Sequence, residues 1–141
     1  KLKLKEGNKS VLEGVPRSLP AIVKAFRIQE KVRGIGFDWD NKSQIWEKVL
    51  EEIEELKAEV ENKNKERIES EFGDVLFALI NYARFIDVNP EDALERCNKR
   101  FIKRFQIMEK KLKEEEKDLL DMNLEQMNKY WRWAKNKYLN T

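Results

Sequence analysis

Hydrophobic residues recur at helical spacing along most of the chain and divide it into five predicted helices. The first begins near Ser18-Leu19-Pro20, where a capping residue precedes an early proline, and it ends at Gly34. No segment alternates with a period of two, so strands are not predicted. The pattern therefore predicts an all-α antiparallel helical bundle, completed by dimerisation. The other four helices are predicted over residues 43–62, 65–87, 90–117 and 124–138.

The third predicted helix differs from the others because apolar residues cover nearly all of its sides. A helix of this kind is expected to be buried. Glu71 and Asp74 lie on this helix, although acidic residues are rarely buried unless they are paired. The position of these two acids therefore indicates a function beyond contact with water.

Composition excludes several kinds of active site. The 141 residues include no histidine and one cysteine, Cys97, so a Ser-His-Asp triad, a Cys-His pair and a histidine-ligated zinc site are excluded. Cys97 cannot form an intramolecular disulfide, and it is predicted to be a small buried apolar residue. Any metal must then bind to carboxylates, which suit hard cations such as Mg²⁺ or Mn²⁺.

Charge is unevenly distributed along a chain whose net charge is only +2. Residues 47–74 hold 11 acidic and 5 basic residues, whereas residues 96–111 hold 7 basic residues and one acid, Glu109. These blocks could form two walls of a site for a metal-bound anion, or simply two solvated helix faces. The lysine-rich residues 1–17 are expected to be a linker or arm, with the domain proper over 18–141.

Few features indicate a partner other than a small molecule. No apolar run reaches the roughly 18 residues of a membrane span, and no signal peptide is evident. A cytoplasmic location without membrane contact is therefore expected. Four lysines without aromatic residues in the arm are weak evidence for nucleic acid, so no specific nucleic acid is predicted. The chain begins at Lys1, which suggests part of a longer protein.

Four carboxylates are predicted to converge between the second and third helices. If these helices form an antiparallel hairpin that turns at Lys63, residues equally distant from the turn lie at the same level. Glu55 then lies opposite Glu71, and Glu52 lies opposite Asp74. Four anions held together repel strongly unless a divalent cation or protonation relieves them. Three further acids of the second helix are expected to face water, namely Glu54, Glu59 and Glu61.

Several motifs together resemble the all-α nucleoside triphosphate pyrophosphohydrolases. EExxE at 51–55 and ExxD at 71–74 are followed by NPEDALERCNKRFIKRF and the tail motif WRWAK. The stretch SVLEGVPRSLPAIVKAFRIQEKVRGIGFDW resembles the MazG branch of this superfamily, and the resemblance extends from about Ser10 to Lys137. Within MazG proteins, which often carry two such domains, the chain resembles the C-terminal, catalytically competent one.

The resemblance implies Mg²⁺-dependent hydrolysis of nucleoside triphosphates to nucleoside monophosphate and pyrophosphate, with Mn²⁺ as a possible substitute. It implies nucleotide-pool cleaning as the physiological role. Glu51 is a weaker candidate, as a proton acceptor for the attacking water. The residues that match the family's metal ligands are Glu52, Glu55, Glu71 and Asp74, and those that match its nucleotide contacts are Lys48, Arg67, Arg100, Arg104, Trp131 and Lys135.

Two alternatives remain open at the level of sequence. One is a narrow dUTP or dCTP pyrophosphatase, which the GFDW and tail motifs disfavour. The other is a non-catalytic helical module that dimerises through its apolar face, which leaves Glu71 and Asp74 unexplained. The only candidate contact to the base is the aromatic face of Trp131, and stacking tolerates every base. Broad base specificity and a homodimer are therefore predicted.

Overall fold

The computed structural model of the chain describes residues 10–38 and 41–139. Residues 1–9 of the predicted arm, Trp39 of the GFDW motif and residues 140–141 lie outside this description. The described residues contain helices and no strand, which confirms the all-α prediction. The elements in chain order are α1 (Ala21–Arg33), α2 (Lys42–Asn62), α3 (Lys65–Phe85), α4 (Pro90–Glu114), a short 3-10 helix (Leu119–Asp121) and α5 (Leu124–Leu139).

A two-residue turn joins α2 to α3 and makes them a tight helical hairpin. Lys63 ends α2 in the left-handed conformation, with φ of 57°. The side chain of Asn64 then caps α3 by accepting a hydrogen bond from the Arg67 amide at 3.2 Å. Asn41 caps α2 in the same way, through the Gln44 amide at 3.1 Å. The predicted turn is confirmed, and the hairpin carries the candidate metal ligands.

The ends of the other helices follow the sequence with small differences. Asn123 and Gln126 form a capping box at the start of α5, because each side chain accepts a hydrogen bond from the other's backbone amide, at 2.8 and 3.0 Å. The prediction for α1 is wrong at its start, since Pro20 occupies the capping position and no side chain caps the helix. Helices α3 and α4 end two and three residues early, and a left-handed residue follows each, Asp87 and Glu116.

Two compact units make up the chain, Lys1–Glu91 and Asp92–Thr141. In the first unit α3 packs against both α1 and α2, and its buried apolar residues are Ile45, Val49, Ala78 and Ile80. In the second unit Met108 and Leu112 of α4 are buried with Ala134 of α5. Each unit therefore has a small apolar centre of its own.

Two expectations about burial are wrong. Helix α3 is not buried on all sides, because Phe72 is 54% exposed and Leu76 and Phe77 are each 44% exposed. Its partners in the first unit, α1 and α2, cover only part of its circumference. Cys97, expected to be buried, is exposed on α4. None of the helices in the described ranges combines the length and apolarity that a membrane span requires.

Candidate metal and nucleotide site

Carboxylates from both arms of the α2–α3 hairpin meet at one level. One carboxylate oxygen from each of Glu52, Glu55 and Glu71 lies within 4.8 Å of the others. Glu52 and Glu55 are three residues apart and share a face of α2, and Glu71 faces them from α3. Equal distance from the turn at Lys63, the basis of the prediction, is the geometry that brings Glu55 and Glu71 together.

Asp74 is close enough to this cluster to act on it electrostatically. The pKa of Glu71 is raised above its ordinary value, first by burial of its carboxyl group and then by the negative charge of Glu55. A hydrogen bond with Glu55 and the charges of Asp74 and Glu52 raise the pKa further. The other three predicted carboxylates therefore all act on Glu71, where additional negative charge is disfavoured.

Two oxygens of the cluster are buried without a hydrogen-bond partner among the described residues, Glu52 Oε2 and Glu71 Oε2. Glu52 as a whole is only 6% exposed. A buried carboxylate oxygen that lacks a partner costs free energy, and a cation that binds it removes that cost. Oxygen ligands with no nitrogen or sulfur are the set that Mg²⁺ and Mn²⁺ prefer. The residues present therefore fit a hard divalent cation.

Lys48 supplies a positive charge to the edge of the cluster. Its Nζ donates to Glu52 Oε1 at 2.8 Å and lies 3.9 Å from Glu51 Oε1. The hydrogen bond to Glu52 is the main cause of a raised Lys48 pKa. Lys48, predicted as a nucleotide contact, thus lies beside the carboxylates. The Glu51 side chain is 59% exposed and belongs to the solvent side of α2.

Arg67 and Glu59 extend the same register by one turn toward the hairpin loop. Arg67, another predicted nucleotide contact, places its Nε 3.8 Å from Glu59 Oε2. Glu59 was expected to face water, and this expectation is wrong because its side chain is only 14% exposed. Glu59 lies as far from Lys63 as Arg67 does, so it points into the hairpin. Glu54, with a side chain that is 71% exposed, does face water as expected.

The basic and aromatic candidates lie on α4 and α5, in the second unit. Arg100 is exposed, whereas Arg104 is half-buried with its guanidinium 5.2 Å from the ring centre of Tyr138. Trp131 is also half-buried; its ring centre lies 5.0 Å from that of Phe101, beside the apolar centre of this unit. Lys135 is exposed. Within this unit the two arginines are one turn apart on α4, as predicted.

Sequence reasoning missed a cavity of about 420 Å³ between α1, the loop after it and α3. Arg84 of α3 is buried there, and it donates to Asp38 at 2.8 Å and to Asn81 at 2.8 Å. The one signal in the sequence was an arginine among the apolar residues at the end of α3. Without the position of α1 against α3, that signal could not be assigned to a cavity.

Comparison with known proteins places these features in a family. Residues 41–108, which contain all four carboxylates together with Arg100 and Arg104, match the MazG nucleotide pyrophosphohydrolase domain. The chain is 39% identical over 117 residues to a nucleoside triphosphate pyrophosphohydrolase/pyrophosphatase MazG of Thermotoga maritima, covering 83% of this chain and 45% of that protein. It is 35% identical over 128 residues to a nucleoside triphosphate pyrophosphohydrolase of Escherichia coli, covering 89% and 49%.

Residues 41–108 thus match a MazG nucleotide pyrophosphohydrolase domain, and the resemblance drawn from the motifs of the chain is confirmed. Two of these relatives are named as nucleoside triphosphate pyrophosphohydrolases, which is the enzyme class that the sequence predicts for this chain. A further relative, the protein YabN of Bacillus subtilis, is 46% identical over 127 residues, which are 89% of this chain and 26% of that protein. The chain thus spans less than half the length of these curated relatives.

Proposed function

We propose that the chain hydrolyses nucleoside triphosphates to nucleoside monophosphate and pyrophosphate with the help of Mg²⁺, which Mn²⁺ can replace. The observation that carries the proposal is the carboxylate cluster of the α2–α3 hairpin with its two unpartnered buried oxygens. The names of the relatives support the same reaction, since two of them are nucleoside triphosphate pyrophosphohydrolases.

Glu52, Glu55, Glu71 and Asp74 would hold the metal. A divalent cation there supplies positive charge to phosphoryl oxygens and lowers the pKa of a bound water. Lys48 neutralises part of the cluster through Glu52, and it can turn from that carboxylate to a phosphate oxygen without leaving the site. Glu51 lies beside Lys48 on the solvent side of α2, which is compatible with its acceptance of a proton from water.

Arg67, Arg100, Arg104 and Lys135 would bind the triphosphate. Guanidinium groups form paired, charge-assisted hydrogen bonds with phosphate oxygens, and the one-turn spacing of Arg100 and Arg104 suits two neighbouring phosphates. Trp131 is proposed to contact the base through its ring. We further propose broad specificity, with ATP, GTP, CTP, UTP and the deoxy forms within about 30-fold in kcat/KM, because stacking tolerates every base. A substrate panel measures this, and a thousandfold preference for dUTP or dCTP would contradict it.

A homodimer is part of the proposal. On α3 the large apolar side chains of Phe72, Leu76 and Leu79 are each at least 39% exposed, and such a stripe along one helix is typical of a surface that another chain covers. A second copy of the chain brings an identical stripe, which can pack against the first in a symmetric interface. Analytical ultracentrifugation should give a dimer mass, and Leu76→Glu should yield monomers.

The role and setting of the chain follow from the same proposal. Hydrolysis of triphosphates with little regard to the base suits nucleotide-pool cleaning in the cytoplasm, without a membrane or specific nucleic-acid partner. The chain would be the C-terminal, catalytic domain of a longer protein, with residues 1–17 as its linker.

The reaction is tested by incubation with ATP and Mg²⁺ and separation of the products. AMP and pyrophosphate in equal amounts are expected. ADP and phosphate would indicate a different phosphoryl transfer, and no turnover by a correctly folded dimer would favour a non-catalytic helical module. Chelation of the metal should stop turnover while the helical circular dichroism signal remains.

A further inference from the structure

Arg67 lies in the first turn of α3, a position where a positive charge is unfavourable on its own. Asn64 caps this helix and accepts a hydrogen bond from the Arg67 amide at 3.2 Å, so Arg67 is the third residue of the helix. Capping motifs place Glu or Gln at this position, and the positive end of the helix dipole disfavours a cation there. A negative charge close to the guanidinium group therefore stabilises Arg67 in this place.

Glu59 of α2 supplies negative charge to Arg67 from across the hairpin. Glu59 and Arg67 are each four residues from Lys63, so they lie at one level, and Glu59 Oε2 is 3.8 Å from Arg67 Nε. Only 14% of the Glu59 side chain is exposed, whereas 73% of the Arg67 side chain is exposed. The carboxylate of this pair is thus held inside the hairpin, while the guanidinium group is open to solvent.

The two oxygens of the Glu59 carboxylate have different surroundings. Oε1 accepts a hydrogen bond from Asn62 Nδ2 at 3.4 Å. Oε2 is buried and has no hydrogen-bond partner among the described residues, because the 3.8 Å that separate it from Arg67 Nε are too long for a hydrogen bond. A movement of Arg67 by about 1 Å would form that bond and remove the cost of the unsatisfied oxygen.

Glu59 is separate from the carboxylates that would hold the cation. It follows Glu55 by one turn of α2, about 6 Å along the helix axis. It is not one of the three glutamates whose oxygens lie within 4.8 Å of one another, and its contacts are with Arg67 and Asn62 instead. The surroundings of Glu59 therefore indicate a role that it performs through Arg67.

The edge of the guanidinium group that Glu59 contacts determines which N–H groups remain for a phosphate. Arginine carries five N–H donors in a rigid, planar fork. A carboxylate at Nε leaves open the end with the two terminal nitrogens, which can bind two phosphate oxygens at once. Glu71 follows Arg67 by one turn of α3, so a phosphate bound at the carboxylate cluster lies within reach of those nitrogens.

We propose that Glu59 is a positioning residue, which contacts Arg67 through Nε and so holds the guanidinium group with its two terminal nitrogens toward a phosphate of the substrate. This proposal rests on the proposed function for the identity of the substrate. Glu59 acts through Arg67 and touches neither the nucleotide nor the metal. Loss of the Glu59 carboxylate should then matter only while Arg67 is present.

A double-mutant cycle in ATP hydrolysis tests this dependence, with Glu59→Gln, Arg67→Ala and the variant that combines them. Arg67→Ala should lower kcat/KM by about tenfold or more, the scale of a charged hydrogen bond. Glu59→Gln should lower it by about fivefold, the upper range for a partly exposed ion pair, mainly through a higher KM. In the combined variant, Glu59→Gln should add nothing to the loss that Arg67→Ala causes.

The matched control is Glu54→Gln, because Glu54 forms an exposed ion pair with Lys57 on the same helix. This variant should behave as wild type. Glu59→Asp is the second variant in case Glu59→Gln does not fold. It keeps the charge but is shorter by one methylene group, so it should show a loss that again depends on Arg67.

Three results would overturn the proposal. Unchanged or increased kcat/KM in Glu59→Gln would mean that Glu59 does not assist Arg67. An equal loss from Glu59→Gln with and without Arg67 would indicate a general effect on the fold. Strongly weakened Mn²⁺ binding by Glu59→Gln in calorimetry would make Glu59 a metal ligand, whereas the proposal predicts unchanged Mn²⁺ affinity.

The positioning role and the proposed reaction fail separately, because the same cycle can be measured on binding of inorganic tripolyphosphate in the presence of Mn²⁺. If no triphosphate is hydrolysed but Glu59→Gln weakens tripolyphosphate binding only while Arg67 is present, the positioning role stands and the reaction is wrong. If Glu59→Gln hydrolyses ATP with the wild-type kcat/KM, the reaction stands and the positioning role is wrong. Absence of both hydrolysis and tripolyphosphate binding would contradict both.

Discussion

Glutamates have opposite surroundings in two regions of the molecule, the acidic hairpin of α2 and α3 and the pair formed by α4 and α5. Glu71 in the hairpin has a raised pKa because its partly buried carboxyl group lies among other carboxylates. Glu115, which follows α4, has a lowered pKa because Tyr130 donates a hydrogen bond to it and Lys111 pairs with it. The negative charge of a glutamate thus lies among other negative charges in one unit and is balanced by donors and a basic residue in the other.

This difference separates charged groups that stabilise the fold from charged groups that are available to a ligand. Around Glu115, the Lys117 ammonium donates to the Tyr130 hydroxyl at 2.8 Å and lies 3.5 Å from Glu115, so the network is complete without a ligand. In the hairpin, Lys48 is the one basic partner within 4.0 Å of the four carboxylates among the described residues. A cluster of carboxylates that lacks counter-charge, and in which Glu52 is buried, marks the place where a cation is expected to bind.

Neutralising the uncompensated cluster should produce the largest effect. Glu71→Gln and Asp74→Asn are each expected to lower kcat/KM at least about a thousandfold, since each removes a carboxylate that would hold the metal. Release of pyrophosphate from ATP measures this. The exposed Glu61→Gln is the control and should keep wild-type activity, and comparable activity in all three variants would contradict the assignment.

The basic residues of the second unit should give an intermediate effect. Arg100→Ala and Arg104→Ala are expected to cost about 1.5–3 kcal/mol in transition-state binding, the scale of a charged hydrogen bond. Arg104 also covers the ring of Tyr138, so its loss should lower the melting temperature slightly while the loss of Arg100 should not. Lys103→Ala on the same helix is the control. Wild-type kcat/KM in both arginine variants would mean that this face of α4 is only solvated surface.

Substitution of Trp131 tests whether its ring packs in the second unit, contacts the nucleotide, or does both. Because its ring packs beside Phe101 and the centre of the second unit, Trp131→Ala should lower the free energy of unfolding by about 2–3 kcal/mol. Chemical denaturation measures this, with the more exposed Trp133→Ala as comparison. If KM for every nucleotide also rises by a similar factor under conditions where the variant is folded, Trp131 contacts substrate as proposed. A change in neither property would contradict both roles.

The smallest effects concern pH and have opposite signs in the two units. The raised pKa of Glu71 means that its ionised form destabilises the metal-free fold at neutral pH, and this penalty is relieved as the pH falls through the folded-state pKa toward 4.5. Glu115 stabilises the fold above pH 4.5 and loses that contribution as the pH falls through its lowered pKa. Melting temperatures of the wild type, Glu71→Gln and Glu115→Gln between pH 7 and pH 3.5 measure this. As the pH falls, the melting temperature of the wild type should rise relative to that of Glu71→Gln. At the low end of the range it should fall relative to that of Glu115→Gln.

The sequence predicted the hairpin well because its signals are local. Asn62, Lys63 and Asn64 fix the turn, and helical spacing then determines which residues face each other. Glu59 could have been assigned to the hairpin interior by the same rule, since it lies opposite Arg67. The extent of that face was underestimated because a glutamate was assumed to prefer water.

Features that depend on contact between distant segments were not predictable from pattern. The cavity requires Gln29 of α1 to meet Phe77 of α3, 48 residues later, and nothing in either segment specifies that packing. Burial of α3 was inferred from its composition, but composition does not say whether the chain itself or a second copy covers a face. Cys97 was misjudged for the same reason.

Titration of the metal-free chain with Mn²⁺ by isothermal calorimetry measures metal binding to the α2–α3 carboxylates without any substrate. Saturable binding is expected for the wild type and for Glu61→Gln, and abolished or strongly weakened binding is expected for Glu71→Gln. Equal Mn²⁺ affinity in the wild type and Glu71→Gln, or no binding to the folded wild type, would contradict the claim that the α2–α3 carboxylates form the metal site.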